Sequence, residues 1–207
     1  MLQYRIACDL DGILVDFMSY WTGLIRSMYR DTELPHLTHA DALSYDLQRI
    51  YPDLRGRIKA VRQIFYQTPN VWEYMPSLLS ATQWERLGRL MRGKWEFHFI
   101  TARKRKYRGK PVEVQSHDWL EKRLPDAGTI RVHVCPYDEP GPQKPDKCHE
   151  LGIPWMIDEH PEAVQALADG GIQVLMQVYN YNVGIEHPRV WRAKDFDTIL
   201  DFLEAAQ

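Results

Sequence analysis

The segment Ile6-Ala7-Cys8-Asp9-Leu10-Asp11-Gly12 carries the densest chemical information in the chain. An apolar run ends in two carboxylates at i and i+2, and strand alternation sets both on the same side of the backbone. Carboxylates this close repel unless a cation or a proton lies between them. Gly12 lets the backbone turn away sharply behind them. The same pattern also serves as an Asp-Gly turn closing a strand, and what raises it above that is the rest of the chain. Phe97-His98-Phe99-Ile100-Thr101 ends a second apolar run on a hydroxyl, and Trp155-Met156-Ile157-Asp158-Glu159 ends another on a carboxylate pair. Between them the loop Pro136–Pro142 leads into Lys144-Pro145, with the lysine just before a helix start. Carboxylates, hydroxyl, lysine and carboxylate, each at an element's end, converge on one edge of a sheet.

The elements that must carry these groups follow from periodicity and punctuation. Strand-like runs at Gln3–Cys8, Glu96–Ile100, Ile130–Cys135, Pro154–Ile157 and Gln173–Val178 alternate with helices, which predicts a five-stranded parallel α/β sheet. Ser80-Ala81-Thr82-Gln83 reads as a capping box, with Trp84, Leu87, Leu90 and Met91 on one face and Gly93 as the stop. Pro111 and Pro161 open two more helices, and Phe196, Ile199, Leu200 and Leu203 mark the buried face of the last. From Phe17 to Arg92 the alternation breaks. That interval has helical patterning and no strand, and prolines 35, 52, 69 and 76 cut it into segments such as Phe17–Arg30 and Asp53–Tyr66. An insertion directly after the first strand lies over that strand's C-terminal end, where ligands bind in open parallel sheets. The expected division is a core of residues 1–16 and 93–207 with a helical cap of residues 17–92.

Composition narrows the classes. Of 207 residues, 44% are apolar and 26% charged, an ordinary globular balance that excludes a disordered or collagen-like chain. No window approaches the roughly 20 apolar residues of a bilayer helix. Three cysteines without C-x-x-C spacing suit neither a disulfide framework nor structural zinc, and a net charge of −2 gives no global attraction to nucleic acid. The opening Met1-Leu2-Gln3-Tyr4-Arg5 has no basic-then-apolar leader, so the cytoplasm is the expected location.

The ordered set Asp9-x-Asp11, Thr101, Lys144 and Asp158-Glu159 resembles the haloacid dehalogenase (HAD) superfamily of phosphohydrolases, over nearly the whole chain. The insertion after the first motif is similar to that superfamily's helical first-type cap. Three stretches resemble its 5′(3′)-deoxyribonucleotidase branch: Asp9-x-Asp11-Gly12-x-Leu14-x-Asp16-Phe17, Ile100-Thr101-Ala102-Arg103, and Tyr181-Asn182-x-Gly184-x-Glu186-His187. The resemblance implies a Rossmann-like core, its parallel sheet flanked by helices, and a Mg²⁺-dependent phosphomonoesterase acting on nucleoside monophosphates through an aspartyl-phosphate.

That chemistry sets roles. A phosphate monoester dianion repels an anionic nucleophile, so its charge must be neutralised by a hard cation held on oxygen. Asp9 would supply a metal carboxylate and the attacking oxygen, and Asp158 the second metal carboxylate. The resemblance adds the backbone carbonyl of Asp11 as a metal ligand and leaves its side chain to act as acid and base. Thr101 and a lysine would hold the equatorial phosphoryl oxygens. Lys144 is favoured for that lysine, with Lys147 the alternative. Glu159 stands where a second Asp is common, and an outer-sphere or lysine-orienting role is expected for it. Phe17 matches a base-contacting position, though with Trp21 one turn on it equally suits a core pair. Arg103 heads the run Arg103-Lys104-Arg105-Lys106-Tyr107-Arg108-Gly109-Lys110 and is its one member expected to see substrate; the other basic residues suit a solvated loop.

Other activities fit parts of this pattern. A phosphatase for sugar phosphates shares the chemistry and differs in the cap, and a 3′-phosphatase on nucleic-acid ends would use the basic run. A non-catalytic phosphate-binding module would not need the full set of Asp9, Asp11, Thr101, Lys144 and Asp158.

Overall fold

The computed structural model describes residues 4–30, 33–44, 46–54, 56, 58–103, 108–135 and 143–206. The Pro136–Pro142 loop and residues 104–107 of the basic run lie outside them. The six strands are β1 (Tyr4–Cys8), β2 (Trp95–Ala102), β3 (Arg131–Cys135), β4 (Trp155–Asp158), β5 (Gln173–Gln177) and β6 (Val190–Ala193). All pair in parallel in the order β3-β2-β1-β4-β5-β6. The sixth strand is the one the sequence pattern missed. Val190-Trp191-Arg192-Ala193 is four residues long and sits at the sheet edge, where only Ala193 is fully covered, so it lacks the apolar run that marks its neighbours.

Alternation divides the core in two. Ile6, Cys8, Phe97, Phe99, Ile157 and Leu175 face one side. There they meet α4 (Ala81–Arg92), α5 (Val112–Glu121) and α8 (Phe196–Ala205). Ala7, Ile100, Cys135, Met156, Val174 and Met176 face the other. They are covered by α6 (Gln143–Glu150) and α7 (Pro161–Asp169). Strands buried on both faces read as near-continuous apolar runs, which is why they stood out in the sequence.

Between β1 and α4 the chain forms α1 (Phe17–Tyr29), α2 (Leu47–Ile50) and α3 (Ile58–Gln67), with short 3₁₀ turns at Pro52–Leu54 and Val71–Tyr74. The single segment expected at Asp53–Tyr66 is therefore two. Gly56 falls where a continuous helix would need an interior residue, and glycine there costs about 1 kcal/mol relative to alanine. Phe17, Trp21, Phe65 and Trp72 close the inside of this cap as one aromatic cluster, with Phe17 and Trp72 stacked at 5.9 Å. His39 fastens cap to core. Its Nε2 accepts the Met18 N–H (3.2 Å), which leaves the proton on Nδ1, 3.3 Å from the Tyr181 hydroxyl. Burial lowers its pKa to about 4, so the ring is neutral near pH 7. Asn180 adds a second tie, its Nδ2 donating to the Ala40 carbonyl (2.9 Å).

α4 starts with the expected capping box: Gln83 N–H donates to Ser80 Oγ, and the Gln83 side chain accepts from the Ser80 N–H. This helix packs on β2 and α8. Ser80→Ala should lower stability by about 1 kcal/mol, read as a shift in the urea midpoint with an unchanged slope.

Candidate active site

The strand order reverses between β1 and β4, and the crevice beyond their carboxyl ends is where an open α/β sheet binds ligands. Asp9 follows β1 directly, its N–H still paired to the Ile157 carbonyl of β4 (2.9 Å). Asp158 is the last residue of β4. Each carboxylate is set by one backbone donor: Leu10 N–H to Asp9 Oδ1 (2.8 Å) and His160 N–H to Asp158 Oδ1 (3.0 Å). Lys144, in the first turn of α6, places Nζ between their other oxygens, 2.8 Å from Asp9 Oδ2 and 2.7 Å from Asp158 Oδ2. Lys147 points elsewhere and pairs with Glu150 (2.5 Å). Thr101, near the end of β2, is buried, and its Oγ1 has no hydrogen-bond partner among the described residues.

Glu159 completes the cluster. It is wholly buried, and neither carboxylate oxygen has a hydrogen-bond partner among the described residues. Its position depends on Gly12, which has φ +88°; a Cβ there would fall 2.4 Å from Glu159 Oε1. The loop after β5 holds both in place. Asn182 Nδ2 donates to the Glu159 carbonyl (2.8 Å), and the Tyr179 hydroxyl donates to the Gly12 carbonyl (2.9 Å). The only sequence signal for Asn182 was its place in the Tyr181–His187 stretch, and Tyr179 had none.

The charge balance is uneven. Asp9, Asp158 and Glu159 bring three carboxylates to one ammonium. Burial alone would lower the Lys144 pKa, but Asp158, Asp9 and Glu159 outweigh it and raise it well above the ordinary lysine value. Burial, reinforced by Asp158 and Asp9, pushes Glu159 well above the usual carboxylate range. Asp9 rises to about 7, mainly through burial, with Lys144 opposing. The three carboxylates can each bring an oxygen within 4.8 Å of the others. An all-oxygen donor set with surplus negative charge and two unbonded oxygens fits a hard divalent cation such as Mg²⁺.

Asp11 stands apart from that cluster. Arg103 holds its carboxylate by two bonds, Nε to Oδ2 (2.8 Å) and Nη2 to Oδ1 (2.6 Å), and donates through Nη1 to Ser116 Oγ (2.8 Å). The guanidinium lies over the Trp72 ring at 3.8 Å. Trp72 thus joins the cap aromatics to a site carboxylate, and Phe17 reaches the site through it. Arg103 was expected to face substrate; here three of its N–H groups are turned to Asp11 and Ser116.

The model of the family described as 5′ nucleotidase, deoxy (pyrimidine), cytosolic type C protein matches residues 3–206. No curated protein matches. Among solved structures, a HAD-superfamily hydrolase of subfamily IA from Geobacter sulfurreducens PCA is 16% identical, covering 97% of this chain and 96% of that one, with a TM-score of 0.58. A haloacid dehalogenase-like hydrolase from Streptococcus pneumoniae is 14% identical, with coverage of 97% and 98% and a TM-score of 0.58. A HAD-family hydrolase from Deinococcus radiodurans R1, solved with phosphate and sodium, is 15% identical, with coverage of 97% and 88% and a TM-score of 0.53. At these identities the structures show a shared fold.

The carboxylate surplus has a consequence for stability. A carboxyl with a raised folded pKa keeps a proton that the unfolded chain has already released, so stability falls as pH rises past the ordinary glutamate value of 4.5. Without divalent metal, the melting temperature should therefore fall from pH 5 to pH 8, and Mg²⁺ should recover much of the loss. Glu159→Gln should flatten the metal-free profile. A melting temperature that rises with pH in wild type and variant alike would contradict the assignment.

Proposed function

The chain belongs to the family of 5′ nucleotidase, deoxy (pyrimidine), cytosolic type C proteins within the HAD superfamily, and we propose that its substrate is a nucleoside monophosphate. It is a HAD-type, Mg²⁺-dependent phosphohydrolase. The nucleotide reading is carried by one observation: Phe17, the one member of the cap's aromatic cluster that is only partly buried, stacks on Trp72, which in turn lies against Arg103 beside Asp11. A nucleobase can stack on such a ring, and a simple sugar phosphate cannot. Residues 17–92 act in this reading as the cap that selects substrate, with 1–16 and 93–207 as the catalytic core. Within that range α4 packs on β2 and α8 and so lies with the helices that flank the sheet. Free mononucleotides in the cytoplasm suit the net charge of −2 and the three buried, unbridged cysteines.

The carboxylates of Asp9 and Asp158 and the backbone carbonyl of Asp11 would hold Mg²⁺, with Glu159 close enough to join them. When bound, the cation neutralises phosphoryl charge and orients the ester for in-line attack. An Asp9 oxygen attacks phosphorus, and the bond to the leaving oxygen breaks as Asp11 donates a proton to it. Lys144 and Thr101 hold the equatorial oxygens as charge spreads over them, and the Thr101 hydroxyl, without a hydrogen-bond partner among the described residues, is available for that contact. Asp11, now a carboxylate, takes a proton from the water that attacks the aspartyl-phosphate, which restores Asp9 and releases phosphate.

Asp9→Asn should cut phosphate release by at least about 10²-fold while keeping the fold, because an amide is a poor nucleophile. Retention of a tenth of wild-type rate would sink the aspartyl-phosphate route. A substrate panel tests the cap: nucleoside monophosphates should exceed ribose 5-phosphate in kcat/KM. Phe17→Ala should lower that preference by about 5- to 150-fold, the worth of one stacked base. If ribose 5-phosphate is the better wild-type substrate, the nucleotide reading fails and the phosphohydrolase remains.

A further inference from the structure

Arg103 is buried, and the side-chain bonds it makes among the described residues go to protein groups. Its Nε and Nη2 form a fork on both Asp11 oxygens, its Nη1 is given to Ser116 Oγ, and one face is covered by Trp72. Each contact is itself fixed. Ser116 Oγ donates to the Val112 carbonyl of the same helix (2.7 Å), and Trp72 N–H donates to Gln115 Oε1 (3.1 Å), one residue along α5. Trp72 stacks on Phe17, the first residue of α1, and meets Phe65 of α3 edge-on. The Arg103 N–H is bonded to the Cys135 carbonyl at the end of β3 (3.3 Å). One guanidinium therefore joins the second motif carboxylate to α5 and to the aromatic lining of the cap.

We propose that Arg103 is a positioning residue for Asp11, and that it ties the aim of this carboxylate to the packing of the cap aromatics through Trp72. The inference rests on the acid–base role given to Asp11 above. A two-bond fork fixes both the distance and the plane of a carboxylate, which a lysine ammonium in the same place cannot do. Proton donation to a leaving oxygen depends on that aim, because the transfer needs the heavy atoms within about 3 Å. Trp72 limits the guanidinium on the cap side. A cap whose aromatic cluster is displaced loses the stacking partner and, with it, the setting of Asp11.

Leaving-group dependence in single-turnover ester cleavage tests this, since a nucleoside alkoxide needs a proton and p-nitrophenolate does not. Asp11→Asn should slow nucleoside release by about 10²-fold or more and p-nitrophenol release far less. Arg103→Gln should show the same split at about 10-fold or more for the nucleotide, with inhibition by inorganic phosphate unchanged. Arg103→Lys should show a smaller split of the same sign and, by keeping the charge, carries the test if the glutamine variant does not fold. Trp72→Leu should fall in the same direction. Equal slowing of both esters by the Arg103 variants, together with weaker phosphate inhibition, would make Arg103 a phosphate clamp and overturn the proposal. No split in Asp11→Asn would instead remove the acid role itself. No turnover of either ester by the wild type would end both readings.

Discussion

Three buried carboxylates around one ammonium are unstable unless something balances them, and the surrounding structure holds them there. Asp9, Asp158 and Glu159 are each set by backbone: the ends of β1 and β4, the Leu10 and His160 N–H groups, and the Asn182 amide on the Glu159 carbonyl. Lys144 meets two of the three and leaves Glu159 without a hydrogen-bond partner among the described residues. Isolated buried charge costs several kcal/mol, so such a cluster persists only where a cation or proton completes it. The mismatch is thus the preparation for Mg²⁺ and a phosphate dianion, and folding stability is given up to keep it.

That constraint explains the placement of small residues and loops. Gly12 has no side chain because Glu159 fills the space a Cβ would take. Tyr179 and Asn182 lie after β5, far along the chain, yet they close the back of the first motif's turn. The cap shares this support. His39 reaches Tyr181, a neighbour of Asn182, so the loop that holds Glu159 also receives the cap. Its neutral ring adds no charge to a site that already has a surplus.

Asp11 is held by different means. The first carboxylate of the motif belongs to the lysine cluster and the second to Arg103, although strand alternation sets them side by side. Separate cations let two neighbouring carboxylates be held apart without sharing a proton, as the proposed split into nucleophile and acid–base requires.

Much of this was legible in the chain because it rests on local rules. Apolar strands buried on both faces, the Ser80 capping box, the prolines opening α5 and α7, and polar groups at strand ends are written in types and spacing. Parallel connection then forces those ends to one edge, which is why Asp9, Thr101, Lys144 and Asp158 were expected to meet; in the structure Lys144 bonds Asp9 and Asp158. What only the tertiary structure decided were the side-chain partners between distant segments. Lys144 and Lys147 lie three residues apart on one helix, and only the docking of α6 on the sheet chose between them. Glu159 was expected in an outer-sphere or lysine-orienting role from its extra methylene, and its complete burial without a hydrogen-bond partner among the described residues was not legible. Arg103 was expected to face substrate, and its contact with Trp72 was not legible because it spans 31 residues of sequence, and no periodicity encodes a contact between elements that meet only in the folded chain. β6 was missed for the same reason: an edge strand of four residues is specified by the neighbour it pairs with.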